Sequence, residues 1–152
     1  MPLLSYTTQV PVQKTAAEII ACLSEHNATA IGTEYDGRGK LIGMTFAVNT
    51  AHGEIPFRLP VDSEAIWKLM MRKNIGGRLG TREQAERVAW RQMYRWVQVQ
   101  MATIETGMVA LEQIFLPFAQ TATGETLYEH MLKGKFQQLA LTSSSNDKSL
   151  DK

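Results

Sequence analysis

The sequence predicts an α+β fold in which a small antiparallel sheet packs against a helix and is followed by a long helix and a helical C-terminal part. Alternation of apolar and polar residues, the period of a half-buried strand, is concentrated in positions 1–62. Capping signals and helical spacing of apolar residues dominate positions 63–140. With 152 residues, the chain has the length of one domain. We therefore expect a single domain over 1–140 and a disordered polar tail over 141–152.

The first elements expected are a strand and a capped helix. Residues 4–10 have the β-branched and aromatic content of a strand, and Pro11 ends it. Thr15 and Glu18 have the spacing of a capping box, in which the threonine hydroxyl accepts from the amide three residues later and the carboxylate accepts from the threonine amide. A helix should therefore begin near Thr15 and end near Asn27.

Three segments separated by turns predict an antiparallel meander. The first two, 29–35 and 41–49, are joined by Asp36-Gly37-Arg38-Gly39, whose glycines allow positive φ. The third, 55–61, carries two prolines on its outward side and therefore fits an edge strand. The side chains expected on the apolar faces of the second and third strands are Ile42, Met44, Phe46, Val48, Ile55, Phe57, Leu59 and Val61.

The helical half begins where Asp62-Ser63 provides an N-cap. A glycine-rich loop over 73–80 leads into a second capping box, formed by Thr81 and Gln84. Gly107 should interrupt the long helix that starts there. The helices expected in this half are 64–72, 82–106, 108–115 and 125–133.

The long helix is predicted to be mostly buried, because its apolar residues cover a broad arc on a helical wheel. Such an arc has to be covered by the core or by a second chain, so we expect a homo-oligomer that associates through this helix. Arg87, Arg91 and Arg95 lie within about 80° of one another on the opposite side of the wheel. The apolar arc comprises Val88, Ala89, Met93, Trp96, Val97, Val99 and Ile104.

Charge is segregated along the chain, although the total is only +1. The stretch from Lys68 to Arg95 holds eight basic and two acidic residues, a local net charge of +6. The rest of the chain holds eight basic and thirteen acidic residues, a net charge of −5. This pattern favours an anionic partner for the central stretch.

The central stretch also contains the residues expected to form a binding site. Glycine loops that open a helix expose amide groups and the positive end of the helix dipole, which suits a phosphate. Aromatic side chains beside cations provide faces on which bases stack. The predicted phosphate or nucleic-acid contacts are Gly76, Gly77, Arg78, Arg82, Arg87, Arg91, Arg95 and, on the outward face of a strand, Arg58. The predicted stacking residues are Trp67, Trp90 and Tyr94.

The sequence contains no recognisable catalytic or metal-binding pattern. His26, His52 and His130 each lack a second ligand at metal-binding spacing, and no nucleophile motif is present. The loop is not a Walker A loop, because no Gly-Lys-Ser/Thr follows its glycines. We therefore expect no metal and no cofactor, and we favour a binding protein over an enzyme.

Cysteine content and hydropathy predict a cytoplasmic protein that does not contact membranes. The lone Cys22 cannot form an intrachain disulfide, which is typical of a reducing compartment. No uncharged apolar run approaches the roughly 18 residues needed to cross a bilayer. The N-terminus also lacks the basic and apolar regions of a secretory signal.

Several short phrases make the chain similar, through about Met131, to small proteins encoded by phages, prophages and other mobile elements. The resemblance implies a genomic context and no activity. The phrases are Tyr6-Thr7-Thr8, Lys14-Thr15 with Glu18-Ile19, Tyr35-Asp36-Gly37, Phe57-Arg58-Leu59-Pro60, Arg82-Glu83-Gln84-Ala85, Arg87-Val88-Ala89-Trp90-Arg91 and Phe115-Leu116-Pro117.

The order of helix, three-strand meander and helix over 15–73 is also similar to that of the double-stranded-RNA-binding domain. That domain carries a lysine cluster at the start of its last helix, whereas the corresponding helix here starts Ser63-Glu64-Ala65-Ile66. The order of elements alone therefore implies no RNA-binding function.

The sequence thus favours an accessory protein of a phage or mobile element that binds a phosphate-bearing partner, nucleic acid above all. Two alternatives remain open. The same arginines and aromatic residues would also suit a protein that sequesters a nucleotide second messenger, as a counter-defence protein does. The wide apolar arc and the methionines of the long helix would suit a protein-interaction module without a nucleotide ligand.

Overall fold

The computed structural model describes residues 2–142, and a three-stranded antiparallel sheet with strand order β1–β2–β3 forms one of its two layers. The strands are β1 (Ala28–Tyr35), β2 (Leu41–Thr50) and β3 (Gly53–Arg58). The helices are α1 (Val12–Glu25), α2 (Ser63–Arg72), α3 (Arg82–Glu105), α4 (Leu111–Phe115) and α5 (Leu127–Lys133), with 3₁₀ turns at Gly77–Leu79 and Leu116–Phe118. The predicted α+β class, with its meander and helical C-terminal part, is confirmed.

The inner face of the sheet carries an aromatic core. Phe46 on β2 pairs with Phe57 on β3, and their rings stack at 5.2 Å. The ring of Phe115 meets the ring of Phe46 edge-on at 5.3 Å. Ile42 was expected on this face but is half exposed, because the register shift between β1 and β2 turns Leu41 inward in its place.

The N-terminal segment is not a strand, which corrects the prediction for residues 4–10. It is a pair of turns in which the amides of Tyr6 and Thr8 donate to the carbonyls of Leu3 and Ser5. Ser5 has a φ of 64°, which an extended strand does not allow. Leu3 is buried in a small second cluster with Met70, Ala85 and Val88. The turns place Leu3 in this cluster, and β propensity alone does not decide the structure of the segment.

Helix α1 begins earlier than predicted, at Val12, with Pro11 as its N-cap. The expected capping box is therefore wrong. Thr15 lies inside the helix and is fully buried, while the Glu18 carboxylate accepts from Arg91 of α3. Pro11 has a φ of −60°, a value compatible with the start of a helix, so the helix can start without a side-chain cap.

Helix α3 runs beside α1 and is also in contact with α2 and α4. The Glu18 carboxylate meets Arg91, and His26 at the end of α1 meets Glu105 at the end of α3, so the two helices run parallel. Their N-terminal ends therefore lie on the same side of the molecule. The predicted bounds of α3 and its Thr81 cap are confirmed.

Helix α2 covers only the first part of α3, because ten residues span about 15 Å and twenty-four span about 36 Å. Val99 was expected in the buried arc of the long helix, but it is 61% exposed. Val88, Ala89 and Val97 are buried as predicted, and Trp90 and Met101, which the predicted arc did not include, are each at most 2% exposed as well.

The C-terminal part packs along the outer edge of β3. Residue Gln120 donates its amide to the carbonyl of Pro56, and Phe57 forms a bridge with Ala119. The predicted edge position of β3 is thus confirmed. Ala119 and Gln120 pair with part of its outer edge. Residues 108–110, predicted as helix, precede α4 and are not helical. Of the predicted tail, residues 143–152 lie outside the described residues.

Candidate phosphate-binding cleft

A polar cleft of about 350 Å³ lies where the segment before α1 meets the start of α3. Its walls are Gln9, Arg78, Leu79, Gln84 and Arg87, none of which is acidic. Arg78 is exposed, and it makes no ion pair with any residue in the described part of the chain. We call this feature the Arg78–Arg87 cleft.

The cleft is bordered by the N-terminal ends of two helices. Gln9 precedes α1, while Arg78 and Leu79 form the 3₁₀ turn that precedes α3. Because α1 and α3 are parallel, both helix dipoles direct their positive ends toward this side. The partial positive charges at the N-terminal ends of α1 and α3 therefore have the same sign as the guanidinium groups of Arg78 and Arg87.

The side chain of Gln84 links the N-terminal segment to Arg87 of α3. Its side-chain amide donates to the carbonyls of Tyr6 and Thr8 at 2.8 and 2.9 Å. Its Oε1 accepts from Nε of Arg87 at 2.9 Å. This neutral partner orients the Arg87 guanidinium without cancelling its charge. Gln84 was expected to close a capping box on Thr81, but its side chain is committed to the N-terminal segment instead.

The glycines of the loop allow its tight path into α3. Gly77 has a φ of +66°, in the left-handed region that favours glycine. A Cβ at Gly80 would lie 2.5 Å from the carbonyl oxygen of Ile75, so no larger residue fits there without a backbone shift. Gly76 is extended and borders open space. The predicted loop is therefore a folded turn that presents Arg78 beside α3.

Two arginines of α3 that were predicted as contacts already form ion pairs. Arg82 donates to Glu64 at 2.6 Å and lies 4.8 Å over the ring of Trp67. Arg91 donates to Glu18 at 2.6 Å, and its side chain is only 20% exposed. The predicted continuous stripe of free arginines is therefore interrupted.

Arg58 lies apart from the cleft, on the outward face of the sheet. It pairs with Glu34 across β2, above Gly43. A Cβ at Gly43 would lie 2.7 Å from the Glu34 carboxylate and 3.1 Å from the Arg58 guanidinium. The glycine thus leaves room for this ion pair, which gives Arg58 a structural role within the sheet.

The predicted stacking residues are not available in the way the sequence suggested. Trp90 is buried, because it follows the same stripe as Val97 and Met101 at spacings of seven and eleven residues. The ring of Tyr94 has the Arg91 guanidinium at 4.8 Å, just as Trp67 has Arg82. The stacking prediction for Trp90 is wrong. The rings of Trp67 and Tyr94 are each half buried beside an arginine.

Arg95 is exposed on α3, two turns and about 12 Å beyond Arg87. Like Arg78, it forms no ion pair with a residue in 2–142. The site-forming residues that the sequence interpretation missed are Gln9 and Gln84, both neutral. To identify them from the sequence, one would have to know that the N-terminal segment contacts α3.

Comparison of the chain with known protein families, with curated proteins and with solved structures returns no match. None of the helices within 2–142 has the length and apolar content of a membrane span. Within the same residues, no group of three or more His, Cys, Asp or Glu side chains is arranged to hold a metal ion.

Proposed function

We propose that this chain is a non-enzymatic binding protein for a phosphate-bearing partner, nucleic acid in the first place, and that the Arg78–Arg87 cleft is its contact point. We further propose that it acts in the cytoplasm as an accessory protein of a phage or mobile element. The lone Cys22 and the resemblance of its sequence phrases support that setting.

One observation carries the proposal. Two guanidinium groups line a cleft whose other walls carry no acid; within residues 2–142 Arg87 donates to the neutral Gln84 amide oxygen, and neither arginine forms an ion pair. A cation without a carboxylate partner gains most from an incoming anion, because the anion has no existing ion pair to displace. Guanidinium groups also match the geometry of phosphate oxygens.

Nucleic acid is favoured because a further arginine that forms no ion pair within residues 2–142 lies beyond the cleft. Arg95 lies about 12 Å along α3 from Arg87, farther than the oxygens of one phosphate group can reach. A partner with successive phosphates along a backbone would contact both. Affinity would then come mainly from counterion release.

The proposal is tested by fluorescence anisotropy with labelled single-stranded and duplex oligonucleotides over a series of salt concentrations. Contacts from Arg78, Arg87 and Arg95 predict a slope of roughly −2 to −3 in log K against log salt. Absence of salt-sensitive binding to both oligonucleotides would remove nucleic acid as the partner.

A nucleotide second messenger is the second candidate, and the pairing of Arg91 with Glu18 favours it. This pair separates the cleft from Arg95, so the cleft also suits a small ligand with one or two phosphates. Isothermal titration calorimetry with cyclic dinucleotides and ADP-ribose distinguishes the two. A small ligand bound in the cleft should saturate at one site per chain and tolerate salt better than an oligonucleotide.

A further inference from the structure

We propose that the Arg78–Arg87 cleft binds the terminal phosphate of a nucleic-acid strand in preference to a phosphodiester within the strand. A preference of this kind rests on the proposed function, because it specifies which phosphate of a nucleic acid occupies the cleft. The charge, the volume and the neutral walls of the cleft support it.

The charge of the cleft matches a terminal phosphate. At pH 7 a phosphomonoester carries a charge of about −1.5 to −2, whereas each phosphodiester of a strand carries a single negative charge. Arg78 and Arg87 line the cleft, and neither forms an ion pair with a residue in 2–142. A terminal phosphate can therefore neutralise both guanidinium groups, whereas a phosphodiester would leave one positive charge in the cleft without a partner.

The two acids that lie nearest to Arg87 in the chain do not pair with it. Glu86 accepts from Lys40 at 3.0 Å. Glu83 lies one turn before Arg87 on α3, but it is exposed, forms no ion pair within residues 2–142 and does not line the cleft. An incoming phosphate therefore has no carboxylate to displace, and both guanidinium groups can donate to its oxygens.

The volume of the cleft fits one nucleotide better than a stretch of strand. Pockets for small molecules enclose about 300–1,000 Å³, and the cleft, at about 350 Å³, lies near the lower limit. Gln84 in its wall is only 1% exposed, and one turn beyond Arg87 on α3 the guanidinium of Arg91 is paired with Glu18. A strand end brings a single nucleotide into such a space, whereas an interior phosphodiester brings a nucleotide on either side.

The remaining walls of the cleft suit the sugar and the base of a terminal nucleotide. Gln9 is exposed, and its side-chain amide makes no hydrogen bond with another residue in 2–142. This amide offers two N–H donors and an oxygen acceptor, the groups with which base edges and sugar hydroxyls pair. Leu79, which is half buried, adds apolar surface to the same cleft.

A free nucleoside monophosphate carries the same phosphomonoester, so its binding has to be distinguished from that of a strand end. Arg95 is exposed and lies about 12 Å beyond Arg87 on α3, too far for a single nucleotide held in the cleft. A strand can reach Arg95 with the phosphates that follow its end. We therefore expect adenosine 5′- and 3′-monophosphate to bind about tenfold more weakly than the phosphorylated strand.

The test is isothermal titration calorimetry, at one salt concentration, with a single-stranded oligonucleotide that has a 5′-phosphate, a 3′-phosphate or hydroxyl groups at both ends. We expect one of the phosphorylated forms to bind about tenfold more tightly than the hydroxyl form. A hydroxyl-ended strand one nucleotide longer is the matched control, because it has one more phosphodiester but no terminal phosphate. Its affinity should stay within about twofold of that of the shorter hydroxyl form.

Arg78→Gln/Arg87→Gln should bind the phosphorylated and hydroxyl forms equally, whereas Arg95→Gln should weaken both and keep their ratio; circular dichroism checks that the variants are folded. Equal binding of all three forms by the wild type, with salt-sensitive binding retained, would overturn the terminal-phosphate preference and leave the proposed function in place. The preference for a strand end is also overturned if a nucleoside monophosphate binds as tightly as the phosphorylated strand, or if the double variant keeps the preference. Binding of none of the strands would remove the proposed function as well.

Discussion

At the scale of single residues, the arginines of this chain differ in what their guanidinium groups contact. Arg58, Arg82 and Arg91 each donate to a carboxylate. Arg87 donates to a neutral amide, and Arg78 has no such partner among residues 2–142. The sequence shows the same residue type at each position. Their separation into structural and available cations depends on tertiary contacts, which helical spacing alone does not reveal.

Gln84 is the residue on which the geometry of the cleft depends most. Gln84→Ala would leave the carbonyls of Tyr6 and Thr8 and the Nε of Arg87 without their buried partner. We expect a loss of about 1–3 kcal/mol in the free energy of unfolding, measured by urea denaturation. Gln98→Ala, an exposed change on the same helix, should alter it by less than about 0.5 kcal/mol. Equal effects would contradict the role given to Gln84.

His26 joins the ends of α1 and α3 and provides a pH-dependent contribution to stability. Its Nδ1 contacts the Cys22 carbonyl at 2.7 Å, which raises the pKa of His26, and the contact of its Nε2 with Glu105 at 2.6 Å raises the pKa further. The protonated imidazole donates from both nitrogens. Since the folded-state pKa is the higher one, this stabilisation is fully present below the ordinary value of 6.5.

The stabilisation should then be lost as the pH rises through the raised pKa. The free energy of unfolding should therefore decrease above pH 6.5 by more in the wild type than in His26→Gln, with urea denaturation as the measurement. Glu105 is exposed, so salt should reduce the effect. An identical pH dependence in both proteins would contradict this account.

At the scale of elements, helices were predicted better than the N-terminal segment. Asp62 and Thr81 cap α2 and α3 as their positions indicate, whereas the capping box expected at Thr15 does not form, because α1 already begins at Val12. Residues 4–10 have strand-forming composition but no neighbouring strand to pair with. A strand is defined by its partner, and that partner is not encoded locally.

The turn before α3 is the element that presents Arg78, and a glycine substitution tests its importance. Gly80→Ala would place a Cβ against the Ile75 carbonyl and force the turn to shift. We expect oligonucleotide affinity to fall about tenfold, the loss of one charge-assisted contact. Gly76→Ala is the control, because its Cβ would meet open space at an extended φ. Equal binding by both variants would show that the shape of the turn is irrelevant.

At the scale of the whole molecule, contacts between distant segments divide the basic region that the sequence contains. The net charge of +6 between Lys68 and Arg95 indicated an anion-binding surface. In the fold, part of that charge is balanced by Glu18 and Glu64, which come from other elements. The cleft is left at one end of the region, where α1 and α3 begin together. Such compensation between distant segments requires the fold itself.

The exposed apolar surface of the whole molecule, like its charge, depends on contacts between distant segments. Association through α3 stays a prediction, although α1 and α2 pack against this helix and most residues of its predicted apolar arc are buried or half buried. Among the described residues, exposed large apolar side chains are spread over the molecule, from Leu4 and Ile42 through Val99 and Met108 to Leu132.

The most direct test of the account compares the salt dependence of duplex binding in Arg78→Gln/Arg87→Gln with that in Arg82→Gln. The double variant loses two unpaired cations, so the slope of log K against log salt should become shallower by about 2. Arg82→Gln removes a cation that Glu64 already neutralises, and its slope should match that of the wild type. If Arg82→Gln weakens binding as much as the double variant does, or if neither changes the slope, the assignment of the cleft is wrong.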